Sequence, residues 1–140
     1  MPEPLKNLTY VIAGPGKVHL RDGAWSGIGT EGQVTVTMGE LWGQGDLDND
    51  GKANDAVITL IERRGEKPER VYLVPVLKPN EAPDPIPGAL LDPGMTPVHI
   101  TVSSRRIFLD VIPAGAGTAG NSPKQAIYWI ENRQTQRVAR

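Results

Sequence analysis

Asp55-Ala56-Val57-Ile58-Thr59-Leu60-Ile61 is a short run of β-branched and apolar residues headed by a single acid. A run of this length and type reads as a strand, and its lack of polar alternation places it in the interior. It follows directly on Asp46-Leu47-Asp48-Asn49-Asp50-Gly51-Lys52-Ala53-Asn54. The approach to that loop, Leu41-Trp42-Gly43-Gln44-Gly45, carries too much glycine for a helix. The unit is therefore loop-then-strand. An EF-hand is excluded, because that motif needs a helix on each side and a bidentate Glu at loop position twelve, where this chain has Val57.

Reading outward, the rest of the chain has the same character. Sixteen glycines and thirteen prolines in 140 residues favour many short strands joined by turns. Strands are expected at Leu8–Ala13, Lys17–Leu20, Gln33–Met38, Arg70–Leu77, Val98–Val102, Arg105–Ile112 and Gln125–Ile130. Pro75 lacks a donor, so its strand should lie at an edge or carry a bulge. Trp25 to Gly32, the charged Glu62–Pro68, the proline-rich Asn80–Pro97 and the small-residue stretch Ala114–Pro123 read as turns or loops. The basic tail Arg133–Arg140 reads as frayed or briefly helical. The expected fold is all-β, a single domain over residues 1–140. It should be an antiparallel sandwich or partly open barrel of roughly seven to nine strands. Ile107, Leu109 and Val111 on one strand should share a core with Val57, Ile61, Ile100 and Val102.

The loop carries the chemistry. Asp46, Asp48 and Asp50 occupy alternate positions and Gly51 follows them. Oxygen ligands two residues apart converge on one cation when the chain wraps around it, and glycine at position six permits the wrap. Without a cation, three such carboxylates repel one another. An ordinary acidic turn needs one or two of these residues, not three acids in alternation. The expected ligands of a calcium ion are the carboxylates of Asp46, Asp48 and Asp50 and the backbone carbonyl of Lys52. Asn54 or Asp55 should close the site.

The loop and its strand resemble the calcium loops of FG-GAP and related repeats, which run Asp-x-Asp-x-Asp-Gly-x-x-Asp into an apolar strand. The closing acid of that pattern sits at position nine, where this chain has Asn54, with Asp55 at ten. A longer likeness covers Gly45–Asp50, Asp55–Ile61, Tyr72-Leu73-Val74-Pro75-Val76-Leu77 and Val98–Ile112. It resembles uncharacterised bacterial exported proteins and lipoproteins. The resemblance implies export and calcium, and it implies no activity.

Composition bounds the remaining functions. Acids and bases nearly balance at a formal charge of −1, so no global field points to nucleic acid. The absence of cysteine excludes disulfides, thiolate catalysis and cysteine-ligated zinc. No apolar run reaches membrane-spanning length and no signal peptide is present, so an export signal is expected to be missing from this chain. Gly115 to Gly120 matches GxGxxG, but a strand rather than a helix is expected after it. Gly14-Pro15-Gly16-Lys17 lacks phosphate-loop spacing. His19 and His99 are separate and read as sheet-surface residues, and Ser103-Ser104 as a hairpin turn. Trp25, Trp42 and Trp129 serve either the core or a stacking surface. The expected function is a calcium-binding extracytoplasmic module, structural or partner-binding, with a protein or glycan partner and no catalysis. Two alternatives stand beside it: a small hydrolase using loop acids such as Asp84, Asp92 and Asp110, and an inhibitor or interaction domain docking through its loops.

Overall fold

The computed structural model describes residues 3–29, 32–93, 95–112 and 124–138. They form a 3-10 turn, Glu3–Asn7, and twelve strands. The strands are β1 (Thr9–Ile12), β2 (Gly16–His19), β3 (Ala24–Gly29), β4 (Gly32–Gly45), β5 (Asp55–Arg64) and β6 (Arg70–Leu77), followed by β7 (Asp84–Pro85), β8 (Ala89–Leu90), β9 (Thr96–Ser103), β10 (Arg106–Ile112), β11 (Lys124–Glu131) and β12 (Gln134–Arg137). The fold is all-β and antiparallel, with no closed barrel. A central sheet runs β3-β4-β5-β6, with the short β7 and β8 both paired to β6. A second sheet runs β12-β11-β10-β9, and β1 and β2 make a separate hairpin.

β5 sits between β4 and β6, and every residue from Asp55 to Leu60 is buried. Its two faces enter different cores. Ala56, Ile58 and Leu60 join Val76, Val74 and Tyr72, which lie directly across on β6. This face is covered by Leu5, Tyr10, Ile12, Val18 and Leu20 from the N-terminal turn and hairpin. Val57 and Leu73 point the other way, onto Ile100, Ile107, Leu109, Val111, Ala126 and Tyr128 of the second sheet. Burial on both faces is the physical reason that this strand shows no alternation. The expected core set meets here, with Val102 packed at its margin. Ile61 is only half-buried, because it lines a cleft with Val71, Met95 and Pro97.

The glycines of Leu41–Gly45 serve packing. β4 continues through them as a strand, and a Cβ on Gly43 would stand 2.8 Å from Ile100, one on Gly45 2.5 Å from Val102. Bare backbone here lets β9 seat directly on β4.

Four expectations change. Trp25 to Gly29 belongs to strand β3, paired along its length with β4. The partner strand supplies the order that Ser-Gly-Ile-Gly lacks by itself. Glu62 to Arg64 complete β5, so the turn after it is shorter than its charges suggest. The basic tail contributes β12, turned back on β11 by Asn132 and Arg133, both at positive φ (52° and 57°). Asn80–Pro97 is tied down at several points. Ile86 N–H donates to Pro75 O at 2.9 Å, Gly88 N–H to Val11 O at 3.0 Å, and Thr135 Oγ1 to Pro87 O at 2.8 Å. Arg133 grips Asp84 with two hydrogen bonds, and Arg137 pairs with Asp92. Pro75 fits its strand for the expected reason. Its carbonyl takes Ile86, so its nitrogen faces the interrupted edge between β7 and β8. Ala114–Pro123, including the glycine motif, lies outside the described residues.

Leu109 is fully buried in the second core. Leu109→Ala should cost about 2–5 kcal/mol in urea unfolding, since the surrounding strands close only partly over the space. A loss under about 0.5 kcal/mol would show that the two sheets do not share this core.

Candidate metal centre

The loop between β4 and β5 alternates in the direction its side chains take. Leu47 is buried in the second core, while Asp46, Asp48 and Asp50 turn outward. One carboxylate oxygen from each of these three acids lies within 4.8 Å of the others. The backbone winds to allow it. Asn49 and Gly51 take positive φ (60° and 81°). Asp46 accepts the N–H groups of Asp50 at 3.3 Å and Gly51 at 3.0 Å, and Asp50 accepts that of Lys52 at 2.8 Å. The loop's far end is stapled by Gln44, whose side chain donates to Ala53 O at 3.0 Å.

The electrostatics of the cluster are those of crowded acids. Partial burial, and then the charges of Asp55 and Asp50, push the Asp48 carboxyl above its ordinary range. Lys78 Nζ stands 3.8 Å from Asp48 and offsets part of this repulsion.

Asp55, expected as a possible closing ligand, is not among the three converging acids. It is fully buried and holds the fold instead. Its Oδ2 accepts Leu47 N–H at 2.8 Å and Asp48 N–H at 3.3 Å, and its Oδ1 accepts Lys78 N–H at 3.1 Å. One carboxylate thus joins the loop, the start of β5 and the end of β6. Asn54 differs. Its side-chain oxygen is buried and has no hydrogen-bond partner among the described residues. A buried, unpaired oxygen on the residue that ends an acidic loop suits a hard cation with oxygen ligands.

The other candidates are scattered. His19 bonds Thr9 on the outer face of the β1–β2 hairpin, and His99 lies on the exposed face of the second sheet near Asp110. Asp84 and Asp92 are held by arginines, and Asp110 accepts from Gln125. Ser104 takes the turn between β9 and β10 at φ 52°. Trp25 and Trp42 pack against the first core. Glu62, expected in an exposed turn, is 2% exposed within β5. No local signal marked it, because only the partner strands bury it. Comparison with family models, with curated proteins and with solved structures gives no match.

Asp55→Ala should destabilise by about 3 kcal/mol or more even with chelator present, because three amides lose a buried acceptor at roughly 1–3 kcal/mol each. Asp48→Ala in the same buffer should stay within about 0.5 kcal/mol of the parent. Equal losses in the two variants would mean that Asp55 has no separate structural role.

Proposed function

We propose that this protein is an extracytoplasmic binding module whose β4–β5 loop holds a structural calcium ion. The observation that carries this reading is the convergence of Asp46, Asp48 and Asp50 on a loop whose next acid, Asp55, is already committed to the core. Asp46, Asp48 and Asp50 would give carboxylate oxygens, Lys52 its backbone carbonyl and Asn54 its side-chain oxygen. An all-oxygen set of this kind suits calcium, not zinc. The ion would supply the positive charge that cancels repulsion among the three acids.

Calcium loops of extracellular modules bind at about 10⁻⁴–10⁻³ M, the range matched to calcium outside cells. The resemblance to exported bacterial proteins and lipoproteins supports the same setting. No helix among the described residues is long and apolar enough to cross a membrane. The metal is structural in this reading, since a loop that fills its positions with protein oxygens leaves little room for a substrate. The hydrolase alternative is the weaker one, because Asp84 and Asp92 are each engaged by an arginine.

Calcium titration by calorimetry, with melting curves in calcium and in chelator, tests the proposal. A cation that binds only the folded loop stabilises it by about 2.7 kcal/mol at a hundredfold excess over its dissociation constant. Chelation should therefore lower Tm, and Asp48→Ala should remove the calcium-dependent part while leaving the chelated Tm unchanged. Superimposable curves with and without calcium would reject the site.

A further inference from the structure

Glu62 presents a different problem from the calcium loop. It stands on the inward face of β5 after Ala56, Ile58 and Leu60, where the stripe turns from apolar to ionic. A buried carboxylate is expensive unless its oxygens are well bonded. Only one of them is. Tyr72 O–H donates to Oε1 at 2.5 Å, and Gly14 N–H donates to the Tyr72 oxygen at 3.3 Å. This chain fixes the carboxylate in place, and burial with the neighbouring Glu62 pushes the Tyr72 hydroxyl up to about 12, so it stays a donor. Gly14 has no room for a side chain, because a Cβ would stand 2.6 Å from Glu62 Oε1.

Oε2 is left with looser company. Arg64 Nε lies 3.5 Å away and Arg70 Nη1 3.7 Å, both longer than a good hydrogen bond. Glu62, Arg64 and Arg70 line a cleft of about 530 Å³ between the β1–β2 turn and the start of the central sheet. Trp25 and Val34 form its apolar side, with Ile28, 90% exposed, on its lining. Two atoms of the Trp25 ring lie 2.5 Å from where a Cβ on Gly27 would stand, so a side chain at 27 would displace the indole.

We propose that this cleft is a binding site for a neutral sugar. A simple cation would meet two guanidinium groups, and a simple anion would meet a buried carboxylate. A sugar suits both, because each hydroxyl donates and accepts: one can donate to Glu62 Oε2 while another accepts from Arg70. The apolar C–H face of a pyranose matches the indole that Trp25 contributes to the lining. The volume lies in the ordinary range for small-ligand sites. Tyr72 and Gly14 act as positioning residues for the carboxylate. The site is independent of the metal: Glu62 lies seven residues along β5 from Asp55, or roughly 23 Å at strand rise, and on the opposite face.

The test is saturation-transfer NMR and calorimetry with glucose, galactose, mannose, N-acetylglucosamine and β-linked disaccharides of each, run in calcium and in chelator. At least one should bind saturably in calcium buffer. Trp25→Ala and Arg70→Ala should each weaken it by about tenfold or more. Arg70 stands 3.7 Å from the buried Glu62 carboxylate, so Arg70→Ala should also lower the melting temperature. Arg70→Lys keeps a cation there, and weakened binding in that variant at the parent melting temperature reports the site and not the fold. Glu62→Gln should also weaken binding, with Tyr72→Phe as the variant that loosens the carboxylate without removing it. Failure of every sugar to saturate at about 100 mM, or binding undiminished in both Trp25→Ala and Arg70→Ala, overturns the proposal. Either result stands whether or not the loop binds calcium, since the metal is scored separately by the effect of chelator on Tm.

Discussion

A strand buried on both faces needs a cover on each side, and β5 imposes that requirement on the whole molecule. Its neighbours β4 and β6 satisfy its backbone, but not its side chains. One face recruits the N-terminal hairpin and the other recruits the second sheet. The sandwich therefore carries a third, smaller layer. The proline-rich strap from Asp84 to Leu90 completes this arrangement. It borders β6, reaches the hairpin through Gly88 and Val11, and reaches β12 through Pro87 and Thr135. A segment that looks like free loop is thus the one that ties three layers together.

The two buried acids of β5 show how the same group takes different tasks. Asp55 is met by three backbone amides, an arrangement that stabilises a carboxylate and leaves it little capacity for a ligand. Glu62 is met by one phenol and two distant guanidinium groups, and it borders open space. The first is a structural tie. The second has the partial satisfaction and cleft setting that accompany binding sites.

The acidic loop depends on the tie. Leu47 in the core and Asp55 under the loop hold its base, so the three carboxylates share one small volume. Loop order and core order are therefore coupled through Leu47 and Asp55, the first residue of β5. A cation bound at the surface would act on the centre of the protein by this short path.

Local chemistry was enough to establish part of this. Asp-x-Asp-x-Asp-Gly announces a wound acidic loop because its ligand spacing and its glycine are contiguous in the chain. The β-branched, largely apolar run after it announces a buried strand, and Ser103-Ser104 announces a hairpin, because turn preferences act over a few residues. The number of layers could not be read this way, since a run such as Val57-Ile58 shows that both faces are covered but not by what. Nor could the separate roles of Asn54 and Asp55, adjacent oxygen donors that differ only in which amides fold against them. Glu62, Tyr72, Arg70 and Gly14 look like a turn, a strand, a strand end and a glycine turn. They become one site only when β5, β6 and the β1–β2 hairpin meet, because burial and ionic contact between residues far apart in the chain are properties of packing.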